Sequence, residues 1–288
     1  MKLLILILPF LISINVYAEE YKATPIENVE MTCGNEISQS IEWSYCISRT
    51  KNSNNQNVLY HLHGRKGNAS WWNDKDYHTG KIHNEWIKNE VDPPTVISIS
   101  FGGLWFLLKN KNNSGLINIF LQNIISKVEG KLSFNPIKRS IMGISMGGLN
   151  TFYLSMSNSS MFEKAAILCA HIPFITHHDG FLKVLKYSFE HNISLKRSYM
   201  MYKMSQKFYS DKKTHELNSS QNLIGQFNAD LSPELYITCG EKDDWGCMKS
   251  SKMVAEKIKE KDGKVTWTPR LGGHCDLNHE EIARFLVN

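Results

Sequence analysis

The sequence of 288 residues has no C-x-x-C pair, no internal repeat and no low-complexity segment. The missing C-x-x-C pairs disfavour a structural zinc site, because such sites are usually built from closely spaced ligands. The net charge of +5 is spread along the chain, without a basic helix or a long run of one charge. These absences argue against nucleic-acid binding and against a polybasic membrane anchor. Hydrophobic residues make up 42% of the chain, so a packed globular core is expected.

The N-terminus carries an apolar run of about a dozen residues, which follows Lys2 and ends at Val16-Tyr17-Ala18. This layout is typical of a secretory signal peptide cleaved after Ala18. An uncleaved anchor is the alternative, but the run is shorter than the ~20 residues that a spanning helix needs. No later segment is long and apolar enough to span. We therefore expect a leader at 1–18 and a soluble domain at 19–288 that is secreted or periplasmic.

Six cysteines follow the leader: Cys33, Cys46, Cys169, Cys239, Cys247 and Cys275. In an oxidising compartment an even count suggests disulfides, and six cysteines allow fifteen full pairings. Cys33–Cys46 and Cys239–Cys247 are the expected local pairs. Cys169 lies in the apolar run KAAILCA, so a buried free thiol is the alternative for that residue.

Short apolar segments alternate with longer segments of helical periodicity, which predicts an α/β fold. The predicted strands are 58–64, 95–100, 139–145, 164–170, 234–240 and 264–269. The predicted helices are 115–130, 146–157, 250–261 and 278–288. This alternation favours a mostly parallel, twisted sheet with helices on both faces.

Residues 173–232 interrupt this alternation with about sixty residues between two predicted strands, where a crossover usually needs fewer. The segment contains two amphipathic stretches, 181–191 and 198–209, which predict helices. A lid over an active site and a helical excursion packed on the surface are both consistent with this pattern.

The motif GISMGG, residues 143–148, contains G-x-S-x-G between a predicted strand and a predicted helix. In that context the motif indicates a tight turn that projects the hydroxyl of Ser145 from the sheet. Glycine is expected at positions 143 and 147 because side chains there would collide across the turn. The following helix would offer N–H groups and the positive end of its dipole to an oxyanion.

A serine nucleophile needs a base, and an acid that orients the base, in the order Ser, Asp or Glu, His. Asp243 follows the strand 234–240, and His274 lies between the last predicted strand and the last helix. Both are expected at the carboxyl edge of the sheet, near Ser145. Asp244 is interpreted as a solvated neighbour or a backbone cap. The pair His177-His178 is a candidate for metal ligation, but neighbouring histidines in a loop are more often solvated and no partnering cluster is evident, so no metal site is expected.

The stretch HLHGRKGN, residues 61–68, follows the first central strand, where this kind of fold supplies one donor of the oxyanion hole. Gly64 permits a close turn past the substrate. The N–H groups of Arg65 and Met146 are the predicted donors.

The motifs YHLHGRKGN, GISMGG, GEKD and GGH, in this order and spacing, resemble the α/β-hydrolase superfamily, and more closely its esterase D-type branch. That branch includes S-formylglutathione hydrolases, feruloyl and acetyl esterases, and mycolyltransferases. The resemblance covers roughly residues 55–288. It implies Ser145 as nucleophile, Asp243 as acid, His274 as base, and an oxyanion hole formed by the 64–65 loop with Met146. Residues 98–110 fall where such enzymes have a loop near the acyl pocket, which implies that Trp71, Trp72 and Trp105 line the substrate cleft. Ordinary packing under a surface loop is the alternative for these three tryptophans.

These patterns predict an exported serine esterase that forms an acyl-enzyme, with no cofactor. Its partner would be a small-molecule, glycan or lipid ester, without stable membrane insertion. An acyltransferase or serine peptidase on the same triad is the nearest alternative, and a non-catalytic binding protein of hydrolase fold is another. The physiological ester, the oligomeric state and the mobility of 173–232 are not determined by these patterns.

Overall fold

The computed structural model describes residues 24–110, 115–157 and 159–288. The signal peptide predicted at 1–18 lies outside the described residues. No helix in these three ranges is long and apolar enough to cross a membrane.

Within the described residues, eight strands form one sheet in the order β1-β2-β4-β3-β5-β6-β7-β8. Strands β3 to β8 are parallel to one another, whereas β2 pairs antiparallel with both β1 and β4. The strands are β1 Val29–Ser38, β2 Ile41–Thr50, β3 Val58–Leu62, β4 Thr95–Ser100, β5 Arg139–Ile144, β6 Lys164–Leu168, β7 Glu234–Gly240 and β8 Val265–Arg270.

The helices of the described residues connect these strands, and a π-helical turn at Phe120–Ile124 joins α2 to α3. The helices are α1 His78–Lys88, α2 Leu116–Ile119, α3 Ile125–Glu129, α4 Met146–Ser157, α5 Phe181–Glu190, α6 Leu195–Phe208, α7 Lys212–Asn218, α8 Ser220–Gly225, α9 Cys247–Lys259 and α10 His279–Val287.

The predicted α/β fold class is confirmed, because helices cover both faces of a mostly parallel sheet. On one face α1 and α10 bury Trp72, Trp86 and Ile282 against the strands. On the other face α2 to α4, α8 and α9 bury a larger cluster that includes Phe120 and Phe152. All six predicted strands are present, with bounds that differ by at most two residues.

The hairpin of β1 and β2 was missed by the sequence patterns, as was α1. The chain reverses at Gln39 and Ser40, which both have positive φ (49° and 66°), as a two-residue hairpin turn requires. Glycine or asparagine usually marks such a turn, and neither is present here. The register places Cys33 directly opposite Cys46, and the two form a disulfide.

Four helices, α5 to α8, lie between β6 and β7 in the segment expected to interrupt the alternation. Ser194 caps α6 by accepting from the N–H of Arg197, and Asp211 caps α7 by accepting from the N–H of Thr214. Such caps satisfy N–H groups that would otherwise lack partners at the start of a helix. Helices α5 and α6 pack on each other and border the cavity described below.

Candidate active site

Ser145 occupies the turn between β5 and α4 with a φ of 56°, a strained value for a residue with a side chain. Its N–H donates to the carbonyl of Leu168 at 2.8 Å, which ties the turn to β6. A Cβ atom added at Gly147 would lie 1.8 Å from the carbonyl oxygen of Leu62. One added at Gly143 would lie 2.1 Å from the carbonyl oxygen of Gly147. Both glycines are therefore required by close backbone approach, as the motif predicts.

The structure brings Ser145, His274 and Asp243 together. Nε2 of His274 lies 3.1 Å from Oγ of Ser145, and Nδ1 of His274 donates a hydrogen bond to Oδ2 of Asp243. Because a carboxylate only accepts, Nδ1 carries the proton in the neutral imidazole and Nε2 is left to accept. The arrangement therefore presents an unprotonated Nε2 to the serine hydroxyl.

Asp243 is held by the backbone of its own loop. Its Oδ1 accepts from the N–H of Trp245 at 2.9 Å and from the N–H of Cys247 at 3.0 Å. Its side chain is fully buried. Burial alone raises the pKa of the Asp243 carboxyl, but the hydrogen bonds from His274 and the two N–H groups outweigh it, so the pKa lies below its ordinary value. Asp243 is therefore ionised at neutral pH.

Asp244 points elsewhere, since it forms an ion pair with Arg197 of α6. The adjacent Trp245 has its ring 5.9 Å from that of His274, and the guanidinium groups of Arg65 and Arg197 lie 5.8 and 4.5 Å from its centre. Trp245 thus connects the loop of Asp243, the loop after β3 and helix α6. Sequence reasoning missed it, because nothing in its spacing distinguishes it from a tryptophan of the core.

Gly64 brings the loop after β3 close to Ser145. A Cβ added at Gly64 would lie 3.7 Å from Cβ of Ser145. The N–H of the next residue, Arg65, donates in none of the hydrogen bonds found among the described residues. The N–H of Met146 belongs to the first turn of α4, where helical N–H groups have no partner within the helix. Both predicted donors thus belong to residues that adjoin the turn at Ser145.

His63 supports this loop from behind. Its Nδ1 donates to the carbonyl of Gly64 at 2.7 Å, and its Nε2 accepts from the hydroxyl of Ser100 at 2.7 Å. Burial lowers the pKa of His63, which keeps the ring neutral and this tautomer in place. The N–H of Lys66 donates to the carbonyl of Gly103, which joins the loop to the segment after β4.

A cavity of about 410 Å³ opens beside Ser145 and His274. Its walls are mostly apolar and come from the segment after β4, from α4 and from the helices between β6 and β7. Lining residues include Leu104, Phe106, Leu149, Val184, Met201 and Met204. This volume falls within the range of small-molecule binding sites.

The three predicted cleft tryptophans have different positions. Trp71 lines the cavity together with Gly64 and Arg65. Trp72 is fully buried between His61 and Trp86, and it belongs to the core beneath the sheet. Trp105 is also buried, against His63. The expectation that Trp72 and Trp105 line the cleft does not match these positions, because consecutive residues face opposite sides. Trp72 follows Trp71, and Trp105 lies between Leu104 and Phe106, which line the cavity.

Two disulfides lie next to Asp243 and His274. Cys239–Cys247 closes the loop that carries Asp243, and Cys169–Cys275 joins the end of β6 to the residue after His274. The alternative that Cys169 is a free thiol is therefore wrong. His274 lies beside Cys169–Cys275, and Asp243 lies beside Cys239–Cys247, at distances that could hold a metal ion. A sulfur in a disulfide is not a thiolate ligand, however, so neither group of side chains suits a metal ion.

No family model matches this chain, and no curated protein matches it. Solved structures do resemble it. A ferulic acid esterase superposes with a TM-score of 0.63 at 15% identity, over 90% of this chain and 97% of that one. The S-formylglutathione hydrolase of Staphylococcus aureus superposes with a TM-score of 0.62 at 14% identity, over 90% of this chain and 99% of that one. Fluorophosphonate-binding serine hydrolase F of Staphylococcus aureus superposes with a TM-score of 0.63 at 13% identity, over 90% of this chain and 99% of that one.

These similarities, together with the strand order and the elbow at Ser145, define the class: the chain has the α/β-hydrolase fold. The resemblance read from the sequence motifs is thus confirmed at the level of the fold. The similar structures are esterases and serine hydrolases, which are the kinds of enzyme that the esterase D-type branch contains.

Proposed function

We propose that this protein is a serine hydrolase of carboxylic esters that uses Ser145, His274 and Asp243. The observation that carries the proposal is the hydrogen-bonded series Asp243–His274–Ser145 at the mouth of an apolar cavity. The names of the similar structures support ester hydrolysis independently of this geometry.

Nε2 of His274 takes the proton from Oγ of Ser145 as Oγ attacks the ester carbonyl. The N–H groups of Arg65 and Met146 stabilise the oxyanion, and the ionised Asp243 stabilises the imidazolium. His274 then donates its proton to the leaving alkoxide, which leaves Ser145 acylated. Water attacks the acyl-enzyme by the same steps, with His274 first as base and then as acid.

The cavity suits the acyl group of the ester. Its lining is apolar, and it begins at the serine hydroxyl, where the acyl carbon must sit. Trp71, Arg65 and Trp245 also border it, and we propose that the leaving alcohol lies on their side. We propose an apolar acyl chain or ring as the group that fills the cavity.

We further propose that the protein is exported by the leader at 1–18. Every cysteine that follows the leader is in a disulfide, which fits an oxidising compartment. Intact-mass analysis of protein recovered outside the cytoplasm tests this, because cleavage after Ala18 gives a chain that begins at Glu19.

Replacement of Ser145 by alanine tests the catalytic proposal. Ser145→Ala should lower kcat on a p-nitrophenyl ester by several orders of magnitude and abolish labelling by a fluorophosphonate, while thermal unfolding stays close to that of the wild type. Ser157→Ala, at the far end of α4, is the matched control and should label normally. Equal hydrolysis and labelling by wild type and Ser145→Ala would mean that the mechanism is wrong.

A further inference from the structure

Large apolar side chains are unusually exposed on the helices that border the cavity. Of the eleven that are exposed in the described part of the chain, five lie within residues 181–199. Leu182 and Phe189 of α5 are each 79% exposed, and Leu195 at the start of α6 is 66% exposed. Such a concentration is unlike the scattered exposure of single apolar residues, and it marks a surface used for interaction.

Helix α5 has two apolar faces. Val184, Tyr187 and Ser188 point inward and line the cavity. Phe181, Leu182, Leu185 and Phe189 form what we call the outer face of α5, and three of them border a shallow groove. The spacing of these four residues places them along one side of the helix. The outer face is thus separated from the cavity by about one helix diameter, ~10 Å.

Helices α5 and α6 carry an excess of positive charge. Residues 181–208, which span α5 and α6, contain six basic side chains and one acidic one. One of the six, Arg197, is ion-paired with Asp244, which leaves five lysines against Glu190 on these two helices. Lys183 and Lys196 have no carboxylate partner among the described residues, and Lys186 lies 3.9 Å from an exposed Glu190. Helices α5 and α6 pack on each other, so their lysines belong to neighbouring parts of the surface.

We propose that the outer face of α5 docks on an anionic lipid surface. Exposed leucine and phenylalanine side chains flanked by lysines are what peripheral proteins bring to such a surface. A second copy of this chain fits less well, because two identical faces would place their excess positive charges against each other. This docking is peripheral and requires no spanning helix.

Docking of the outer face of α5 on a lipid surface would affect how substrate reaches the protein. A lipid-derived or lipid-dissolved ester would meet the protein on the side of α5 opposite to the cavity, about one helix diameter, ~10 Å, from the cavity wall. That consequence rests on the proposed ester hydrolysis, whereas the docking itself does not.

Vesicle flotation with the purified protein tests the docking. We expect binding to vesicles of phosphatidylcholine mixed with phosphatidylglycerol, and much weaker binding to phosphatidylcholine alone. Leu182→Gln/Phe189→Gln should lower the partition coefficient at least about tenfold, given the area that two such side chains remove from water. Ile137→Gln/Leu231→Gln is the matched control, since both residues are exposed and precede β5 and β7 at the opposite edge of the sheet.

The charge contribution is tested separately. Lys183→Gln/Lys186→Gln should weaken binding to the anionic vesicles by about fivefold for each lysine, and binding to neutral vesicles much less. Lys257→Gln/Lys259→Gln, near the end of α9, is the control and should change binding less than about twofold.

The outcomes separate this inference from the proposed hydrolysis. All four variants should hydrolyse a soluble p-nitrophenyl ester as the wild type does. Flotation without any hydrolysis would support the docking and reject the esterase. Failure of the wild type to bind anionic vesicles, or equal losses in the outer-face and control variants, would overturn the docking. So would a wild-type dimer that Leu182→Gln/Phe189→Gln converts to a monomer without vesicle binding.

Discussion

Replacement of Asp243 by asparagine should inactivate the enzyme through the tautomer of His274. Oδ1 of Asp243 accepts from two backbone N–H groups, at 2.9 and 3.0 Å, while Oδ2 accepts from His274. In Asp243→Asn the amide oxygen must stay with the two N–H donors, so the NH₂ group turns toward His274. Nδ1 then has to accept, the proton moves to Nε2, and the ring can no longer take the proton of Ser145.

The expected loss is about 10⁴ in kcat, the loss known for this change in a serine-protease triad, or about 5.4 kcal/mol of transition-state stabilisation. The KM for a p-nitrophenyl ester should change little, because Asp243 is fully buried and does not line the cavity. Steady-state kinetics and the rate of fluorophosphonate labelling both measure this, and labelling should slow in parallel with kcat.

Asp244→Asn provides the matched control. It removes a carboxylate that is 56% exposed and paired with Arg197, a contact expected to contribute at most about 1 kcal/mol. Activity should stay within a few-fold of the wild type. If Asp244→Asn lost more activity than Asp243→Asn, the assignment of the acid would be refuted.

Three further predictions concern pH, a disulfide and the cavity. The lowered pKa of Asp243 means that its ionised form stabilises the fold above its ordinary value of 3.8, so Tm should fall as pH drops below about 4, and less steeply in Asp243→Asn. Cys169→Ala/Cys275→Ala opens a loop of separation 106 and should destabilise the protein by about 4 kcal/mol, with a lower kcat because His274 is adjacent. For p-nitrophenyl acetate, butanoate and hexanoate, kcat/KM should rise about fourfold for each added CH₂ that enters the cavity.

Each of these has a contrasting result. If the pH profiles of Tm were parallel in wild type and Asp243→Asn, the loss of stability in acid would not come from protonation of Asp243. Cys33→Ala/Cys46→Ala should lower Tm without changing kcat, because that disulfide lies in the β1–β2 hairpin. A preference for acetate over hexanoate would show that the acyl group does not enter the apolar cavity.

Much of the geometry of the candidate site was predictable because it depends on local chemistry. A strand that turns this tightly into a helix needs glycines at 143 and 147. The motif around Ser145 therefore predicts the backbone conformation of the turn. The positions of Asp243 and His274 follow because parallel strands deliver the residues after them to a single edge of the sheet. The disulfides Cys33–Cys46 and Cys239–Cys247 were expected because few residues separate their cysteines.

Features that depend on distant contacts required the tertiary structure. The pairing of Cys169 with Cys275 joins residues 106 apart in the chain. Nothing local distinguishes Trp71 at the cavity from Trp72 in the core, because the choice depends on which side of a turn faces the sheet. The hairpin of β1 and β2 reverses at a Gln-Ser pair that carries no turn signal, and its stability comes from pairing with β4.

The sequence by itself determined the alternation of strands and helices, the elbow at Ser145 and the order of acid and base, since each is a property of short segments. Only the tertiary structure decided the shape and lining of the cavity and the positive, apolar outer face of α5. These arise when helices far from the motifs pack beside them, and periodicity along a chain does not report which helix faces which.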